Sequence, residues 1–193
     1  MSLPGTLFVA GMNHRTAPVA LREQLALEEE KIREILADLA GRGLLEEIMI
    51  LSTCNRVEVY GVAAVPGEAR SLAFGRLASQ RGLAGRDLEP LIYTLTGEEA
   101  ALHAFRVAAS LDSMVLGEPQ ILGQVKDAFA LAQSVGTAGP VLHALMSQAF
   151  SAAKRVRSET EVGRLAVSIS YAAVELARKI FEGLEGRSAV FSA

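Results

Sequence analysis

The only cysteine of the 193-residue chain, Cys54, lies in the segment LSTCNRVEVYG at 51–61. Its neighbours Thr53, Asn55 and Arg56 give it a polar setting, whereas most free cysteines are small buried hydrophobes. If the chain is extended here, Cys54 and Arg56 lie two residues apart on one face. A guanidinium near a thiol favours the thiolate, which is the nucleophilic form. The segment therefore predicts an activated nucleophile, with a structural, buried cysteine as the alternative.

A second candidate, His103, lies on a helix that the apolar spacing predicts over 98–111. Together with Glu99, Arg106 and Ser110 it forms one polar stripe at spacings of four, three and four residues. Histidine titrates near neutral pH, so His103 is a candidate general acid or base. The alternative is that the stripe is simply a solvent-exposed helix face.

The third feature is SMVLGEPQILGQ at 113–124, which indicates a loop that enters a helix with Pro119 at its first position. Gln120, Gln124 and Asp127 then share one face of that helix. Free N–H groups and a partial positive charge at a helix N-terminus suit a carboxylate or a phosphate. An ordinary capped helix start explains the same pattern.

Several kinds of site are not indicated by the sequence. It contains neither G-x-G-x-x-G nor a Walker A loop, and its three histidines and one cysteine lack metal-ligand spacing. The net charge of −3 argues against indiscriminate nucleic-acid binding. A local basic cluster of Lys154, Arg155, Arg157 and Arg164 is either a solvated surface or a contact for phosphates.

The length of the chain allows one good core, or a domain plus an appended helical part, and its single cysteine fits a reducing compartment. Half of the residues are apolar, 21% are charged, and a single cysteine excludes an internal disulfide. No apolar run approaches the roughly 20 residues of a membrane span, and the start lacks a signal peptide's basic and apolar regions. We therefore expect a cytoplasmic protein without membrane association.

The elements that position these residues are predicted to form an α+β fold. A small mixed sheet with flanking helices spans 1–97 and is completed by a helical subdomain at 98–160, followed by a connecting helix within 161–186. Thr16 is expected to cap the first helix. The predicted strands are 6–13, 46–52, 56–63 and 91–97, and the predicted helices are 19–27, 28–43, 67–82, 98–111, 119–136, 139–160 and 168–186.

Four segments, at 11–27, 51–61, 111–129 and 156–177, together resemble glutamyl-tRNA reductase. The resemblance covers nearly the whole chain in the family's order. It implies an oxidoreductase of porphyrin (tetrapyrrole) biosynthesis that reduces glutamyl-tRNA with NADPH to glutamate-1-semialdehyde. The mechanism it implies is attack of a cysteine thiolate on the ester, followed by reduction of the resulting thioester.

The resemblance also implies roles for particular residues. The family's nucleophile falls on Cys54, and its activity-supporting histidine falls on His103, our candidate for protonating the departing ribose oxygen. Arg56 is expected to bind a substrate carboxylate, to tune the thiol, or both. The residues expected to contact the glutamyl group are Thr53, Asn55, Arg56, Ser113, Glu118, Pro119, Gln120 and Gln124.

In this family an NADPH-binding domain follows, and its first strand corresponds to 188–192. We therefore expect 1–160 to be the catalytic domain and 187–193 to be the start of a truncated cofactor domain, with no cofactor-binding residue in this chain. Such a fragment is expected to form the thioester and act as an esterase. The full-length enzyme is expected to be a homodimer that passes its product to glutamate-1-semialdehyde aminomutase.

Two other classes of function fit the same residues. One is a noncatalytic tRNA-binding or adaptor module in which Cys54 is structural. The other is a thiol redox sensor, which ranks last because the chain has no second cysteine to resolve a sulfenic acid.

Overall fold

The computed structural model describes residues 5–114, 116–118, 120–163 and 176–181. Its sheet has four strands in the order β2-β3-β1-β4. The strands are β1 (Thr6–Asn13), β2 (Glu47–Ser52), β3 (Arg56–Ala63) and β4 (Tyr93–Thr96). The helices are α1 (Val19–Leu25), α2 (Glu29–Ala40), α3 (Pro66–Ser79), α4 (Gly85–Leu88), α5 (Gly97–Ala108), α6 (Gln120–Val135) and α7 (Pro140–Glu159), with 3₁₀ turns at Glu89–Leu91 and Glu161–Gly163.

The strand β3 lies at the centre of the fold, and all eight of its residues are buried. Because successive side chains of a strand point to opposite faces, both faces of the sheet are covered here. Helix α6 packs on β2, while α5 packs on β1 and β4. The strand therefore carries Glu58 and Tyr60 into the interior as well as its valines.

The register of the sheet brings three chain segments to one corner. Strands β2 and β3 form an antiparallel hairpin in which Ser52 lies opposite Val57, so residues 53–55 are its connecting turn. On the other side of β3, Asn13 at the end of β1 lies opposite Arg56. The turn that contains Cys54 therefore lies beside the end of β1.

The α+β fold class is confirmed, with three differences in detail. The sheet, which was expected to be mixed, is antiparallel in all three pairings. The strand expected at 91–97 is only β4, because a 3₁₀ turn precedes it. Thr16 does not cap α1: its hydroxyl accepts a hydrogen bond from the backbone N–H of Asn13 (3.1 Å), which closes the turn before the helix.

The expected connecting helix lies partly within the described residues. Residues 176–181 are helical. Residues 164–175 and 182–193, which include the rest of that helix and the strand expected at 188–192, lie outside the described residues. No helix in the described part of the chain has both the length and the apolar character needed to cross a bilayer.

Candidate active site

The turn between β2 and β3 presents the Cys54 side chain to solvent. The backbone N–H of Thr53 donates to the carbonyl of Arg56 (2.8 Å), and the Thr53 hydroxyl accepts from the N–H groups of Asn55 (3.2 Å) and Arg56 (3.1 Å). This hydroxyl-centred turn replaces the extended geometry that the sequence suggested. Cys54 and Arg56 therefore do not share a face: the thiol is exposed, and Arg56 is only 1% exposed.

A buried arginine supports the turn from behind. The Arg22 side chain of α1 is 3% exposed and donates through Nη1 to the carbonyl of Ala17 (2.6 Å). Its Nε donates to the carbonyl of Cys54 (3.4 Å). Because one acceptor lies in the cysteine turn and the other just before α1, Arg22 ties the turn to the start of that helix.

Cys54 lies in a small cleft whose lining is mostly polar. The cleft contains about 330 Å³ of space, part of it open to solvent. Its lining residues are Thr53, Cys54, Asn55, Arg56, Ser113, Glu118, Gln120, Ile121 and Gln124. The structure thus brings together the thiol and the substrate-contact residues expected from the sequence, apart from Pro119, which lies outside the described residues. Ile121 was not anticipated.

The loop before α6 reaches the cleft because hydrogen bonds close its two ends on each other. The Ser110 hydroxyl donates to the carbonyl of Glu118 (2.6 Å), and the N–H of Gly117 donates to the carbonyl of Ser110 (3.1 Å). Gly117 has φ +81°, and a Cβ at this position would collide with the carbonyl oxygen of Val162. These contacts hold Ser113 and Glu118 against the cysteine turn.

Beneath the cleft, the carboxylate of Glu58 is completely buried and accepts hydrogen bonds from four side chains. The donors are Arg56 Nη1 (2.7 Å), the Tyr60 hydroxyl (2.5 Å), the Tyr93 hydroxyl and His103 Nε2 (2.9 Å). Burial alone would raise the pKa of Glu58. The Arg56 charge and these hydrogen bonds outweigh that effect and lower the pKa to about 2. Glu58 is therefore ionised at neutral pH.

The two tyrosines stay protonated donors to this carboxylate. Burial raises the pKa of both Tyr60 and Tyr93, and the negative charge of Glu58 raises it further. The pKa of Arg56 is also raised, because the attraction of Glu58 outweighs the desolvation of the guanidinium. The network thus centres on the buried ion pair of Arg56 and Glu58, with the two neutral tyrosine hydroxyls beside it.

Asp112 joins this network to the surface. Arg56 donates through Nη2 to the backbone carbonyl of Asp112, and the Asp112 carboxylate pairs with Arg15 at 2.8 Å. The same carboxylate lies 3.7 Å from His103 Nδ1. Both ring nitrogens of His103 therefore face carboxylates, Glu58 on one side and Asp112 on the other.

His103 does not line the cysteine cleft. It is 7% exposed, its ring meets that of Tyr93 edge to face at 5.6 Å, and it lines a separate cavity with Arg15 and Asp112. The exposed-face interpretation of the polar stripe is wrong for His103 and Ser110, which are buried, and right for Glu99 and Arg106.

The described residues do not fit a dinucleotide. Such cofactors bind at a glycine-rich turn between a parallel strand and a helix, whereas this sheet is antiparallel throughout and the chain lacks that glycine pattern. Nor do the described residues include a group of three histidine, cysteine or acidic side chains placed to hold a metal ion.

Comparison with known proteins gives one consistent result. The family model described as "Glutamyl-tRNAGlu reductase, N-terminal domain" matches residues 10–160. Glutamyl-tRNA reductase of Syntrophotalea carbinolica is 51% identical over 93% of this chain and 41% of its own length. The Aquifex aeolicus enzyme is 47% identical over 94% of the chain and 44% of its length.

A solved structure agrees with these sequence matches. Glutamyl-tRNA reductase from Methanopyrus kandleri superposes with a TM-score of 0.68 at 35% identity, covering 90% of this chain and 39% of that one. The chain thus spans about two fifths of the length of the relatives it matches. It belongs to the glutamyl-tRNA reductase family, in which it corresponds to the N-terminal domain.

Proposed function

We propose that this chain carries the acyl-acceptor site of a glutamyl-tRNA reductase, the enzyme that reduces glutamyl-tRNA to glutamate-1-semialdehyde for tetrapyrrole biosynthesis. The observation that supports it best is the exposed thiol of Cys54 in a cleft lined by polar side chains. An adaptor with a structural cysteine would be expected to bury that thiol.

The reaction proposed for this cleft is a transesterification onto sulfur. The Cys54 thiolate attacks the carbonyl of the glutamyl ester and forms a C–S bond. The C–O bond to the ribose then breaks, and the ribose oxygen leaves with a proton as the free hydroxyl of the tRNA. The product is a glutamyl thioester on Cys54, which is more electrophilic than a carboxylate.

The polar lining matches the charges of a glutamyl group. Arg56, at the floor of the cleft, is held by Glu58 and Asp112, so its remaining N–H donors are fixed in place for the side-chain carboxylate of the substrate. Glu118, at the rim, can accept from the substrate's α-ammonium group. The amides of Asn55, Gln120 and Gln124 and the hydroxyls of Thr53 and Ser113 supply uncharged hydrogen bonds.

His103 is proposed to act as a positioning residue. It lines a different cavity from Cys54, so we assign its effect to the hydrogen bond with Glu58 (2.9 Å), which fixes Arg56. His103→Gln, which can still donate to Glu58, should then retain most of the acylation rate, whereas His103→Ala should lose it mainly through weaker substrate binding. If His103 instead protonates the leaving oxygen, both variants will lose the chemical step with binding unchanged.

Reduction of the thioester needs a hydride donor, and NADPH is the donor that the family name suggests. The described residues of this chain do not fit a dinucleotide. We propose that the 193-residue chain forms the thioester and that water slowly resolves it, so that the chain behaves as a glutamyl-tRNA esterase. NADPH-dependent release of semialdehyde by this chain would contradict that proposal.

The tRNA itself is proposed to meet the basic cluster on α7. Lys154 and Arg155 are exposed and Arg157 is partly exposed, although Arg155 already pairs with Glu159 (3.0 Å). Arg164 lies outside the described residues. Replacing a side chain that binds a phosphate should flatten the salt dependence of tRNA binding by about one unit. Homodimerisation and transfer of product to the aminomutase are proposals for the whole enzyme.

The deciding experiment incubates the chain with glutamyl-tRNA labelled in the glutamate and locates the label by mass spectrometry. We expect label on Cys54 and none on Cys54→Ala. A matched control moves the thiol to an exposed position on α7, as Cys54→Ala/Ser147→Cys. Labelling of that control as fast as the native chain would mean that any exposed thiol suffices. Binding of tRNA without acylation of Cys54 would favour the adaptor.

A further inference from the structure

A second cleft lies directly beside the cysteine cleft. We call it the α2–α6 groove: the space walled by Leu27, Ile32, Ile50 and Leu131, with Gln124 and Asp127 as polar members. It contains about 580 Å³ of space, part of it open to solvent. Its lining combines six apolar side chains with four polar ones, and small-molecule sites also combine apolar walls with a few polar groups.

The groove and the cysteine cleft share a wall. Gln124 lines both of them. Ser52, which also lines the groove, directly precedes Thr53 of the cysteine turn. On α6, Gln120 and Gln124 line the cleft. Gln124, Asp127 and residues farther from the start of the helix line the groove. The two spaces are therefore neighbours along α6, with Gln124 between them.

The substrate chemistry proposed above requires such a neighbour. In an aminoacyl-tRNA the ester oxygen belongs to the ribose of the 3′-terminal adenosine, so that nucleoside lies within a few bonds of the carbonyl attacked by Cys54. We propose that the α2–α6 groove binds the 3′-terminal adenosine of glutamyl-tRNA. This inference rests on the proposed function and adds to it a binding site for the leaving nucleoside.

The groove suits a purine nucleoside chemically. Its leucine and isoleucine side chains can pack on the two faces of the base. Glu29 at its rim is paired with Arg33 (3.0 Å), whereas within the described residues Asp127 makes no hydrogen bond or ion pair. The Asp127 carboxylate is thus free to accept from the N6 amino group of adenine. Gln124, at the junction, is placed to bind a ribose hydroxyl.

The first test fills the groove. Ala128 lines it and is partly buried, whereas Ala130 on the same helix is exposed and outside it. Ala128→Phe should slow acylation of Cys54 by glutamyl-tRNA at least tenfold, while Ala130→Phe should leave the rate unchanged. A donor without the nucleoside, glutamate α-ethyl thioester, should acylate Cys54 equally fast in the native chain and both variants.

The second test probes the base edge with two minimal substrates, 3′-O-glutamyl-adenosine and 3′-O-glutamyl-inosine. Inosine places a carbonyl oxygen where adenine has its amino group. The native chain should be acylated faster by the adenosine ester, by about tenfold, as expected when one base-edge hydrogen bond is removed. Asp127→Asn, whose amide can also donate, should abolish that preference.

The outcomes separate this inference from the function on which it rests. If the native chain is acylated by glutamyl-tRNA but Ala128→Phe is acylated equally fast, the groove assignment is overturned and the proposed function stands. If Ala128→Phe slows the ethyl thioester as much as glutamyl-tRNA, the substitution has distorted the cysteine cleft, and the assignment again fails. If glutamyl-tRNA does not acylate the native chain, both proposals fall.

Discussion

Replacement of the buried carboxylate by an amide, Glu58→Gln, tests how much the network beneath the cleft contributes to the free energy of unfolding. The substitution keeps the shape of the side chain but leaves the guanidinium of Arg56, which is 1% exposed, with only the more distant Asp112 carboxylate (3.8 Å) as a charged partner among the described residues. Removing one member of a buried ion pair typically costs about 3–5 kcal/mol. We expect a loss of that order in the free energy of unfolding at pH 7.

The pKa of Glu58 gives a second value, for the net effect of burial, Arg56 and the hydrogen-bond donors together. One pKa unit corresponds to about 1.4 kcal/mol, so lowering the pKa from its usual 4.5 to about 2 corresponds to about 3 kcal/mol. Because the pKa is lower in the folded state, this stabilisation is present above pH 4.5 and is lost as the pH falls towards 2. By pH 3 about 2 kcal/mol of it should be gone.

The assay is urea denaturation of the native chain and Glu58→Gln at several pH values from 7 to 3. The difference in unfolding free energy between them should shrink by about 2 kcal/mol across this range. Glu34→Gln is the control, because Glu34 is exposed and pairs only with Lys31 (3.0 Å), so it should change stability by no more than about 0.5 kcal/mol. A difference for Glu58→Gln below about 1 kcal/mol at pH 7, or one independent of pH, would refute this account of the network.

Two further substitutions test how the cleft is assembled. The Glu47 carboxylate accepts from three backbone N–H groups at the start of α7, so Glu47→Ala should lower the free energy of unfolding by about 1–3 kcal/mol in urea, whereas the exposed neighbour Glu46→Ala should have little effect. Gly117→Ala should displace the loop from Val162 and slow acylation of Cys54; an unchanged rate would mean that the loop does not shape the cleft.

The sequence was sufficient to predict the elements that carry the cleft. The alternating strand over 56–63 and the apolar strand over 46–52 were both predicted, whereas the turn at Cys54 that joins them replaced the extended geometry suggested there. The proline and glycine before α6 indicate a loop that enters a helix. Local patterns of this kind are set by residues close together in the chain, and they are therefore visible without a structure.

The network under the cleft was not predictable, because its members come from separate elements. Glu58 lies on β3, Tyr93 on β4, His103 on α5 and Asp112 in the loop after α5. A charged residue within the apolar strand VEVYG was a visible signal that something must pair with it. Its partners, however, follow only from strand register and helix packing, which the local pattern does not encode.

The burial of His103 was not predictable for the same reason. A polar stripe on a helix usually faces solvent, but it can equally face another polar group in the interior. The choice depends on what the sheet presents to that helix. Here β3 presents Glu58, and the histidine is buried against it at 2.9 Å.

The buried pair of Arg56 and Glu58 is better explained by position than by stability. Apolar residues of similar volume often replace a buried ion pair with no loss of stability, so stability alone does not account for it. What apolar residues cannot supply is a guanidinium whose direction is fixed on both sides, by Glu58 and by the carbonyl of Asp112. Because that guanidinium forms part of the cleft that contains Cys54, we propose that the network sets where a substrate carboxylate is held relative to the thiol.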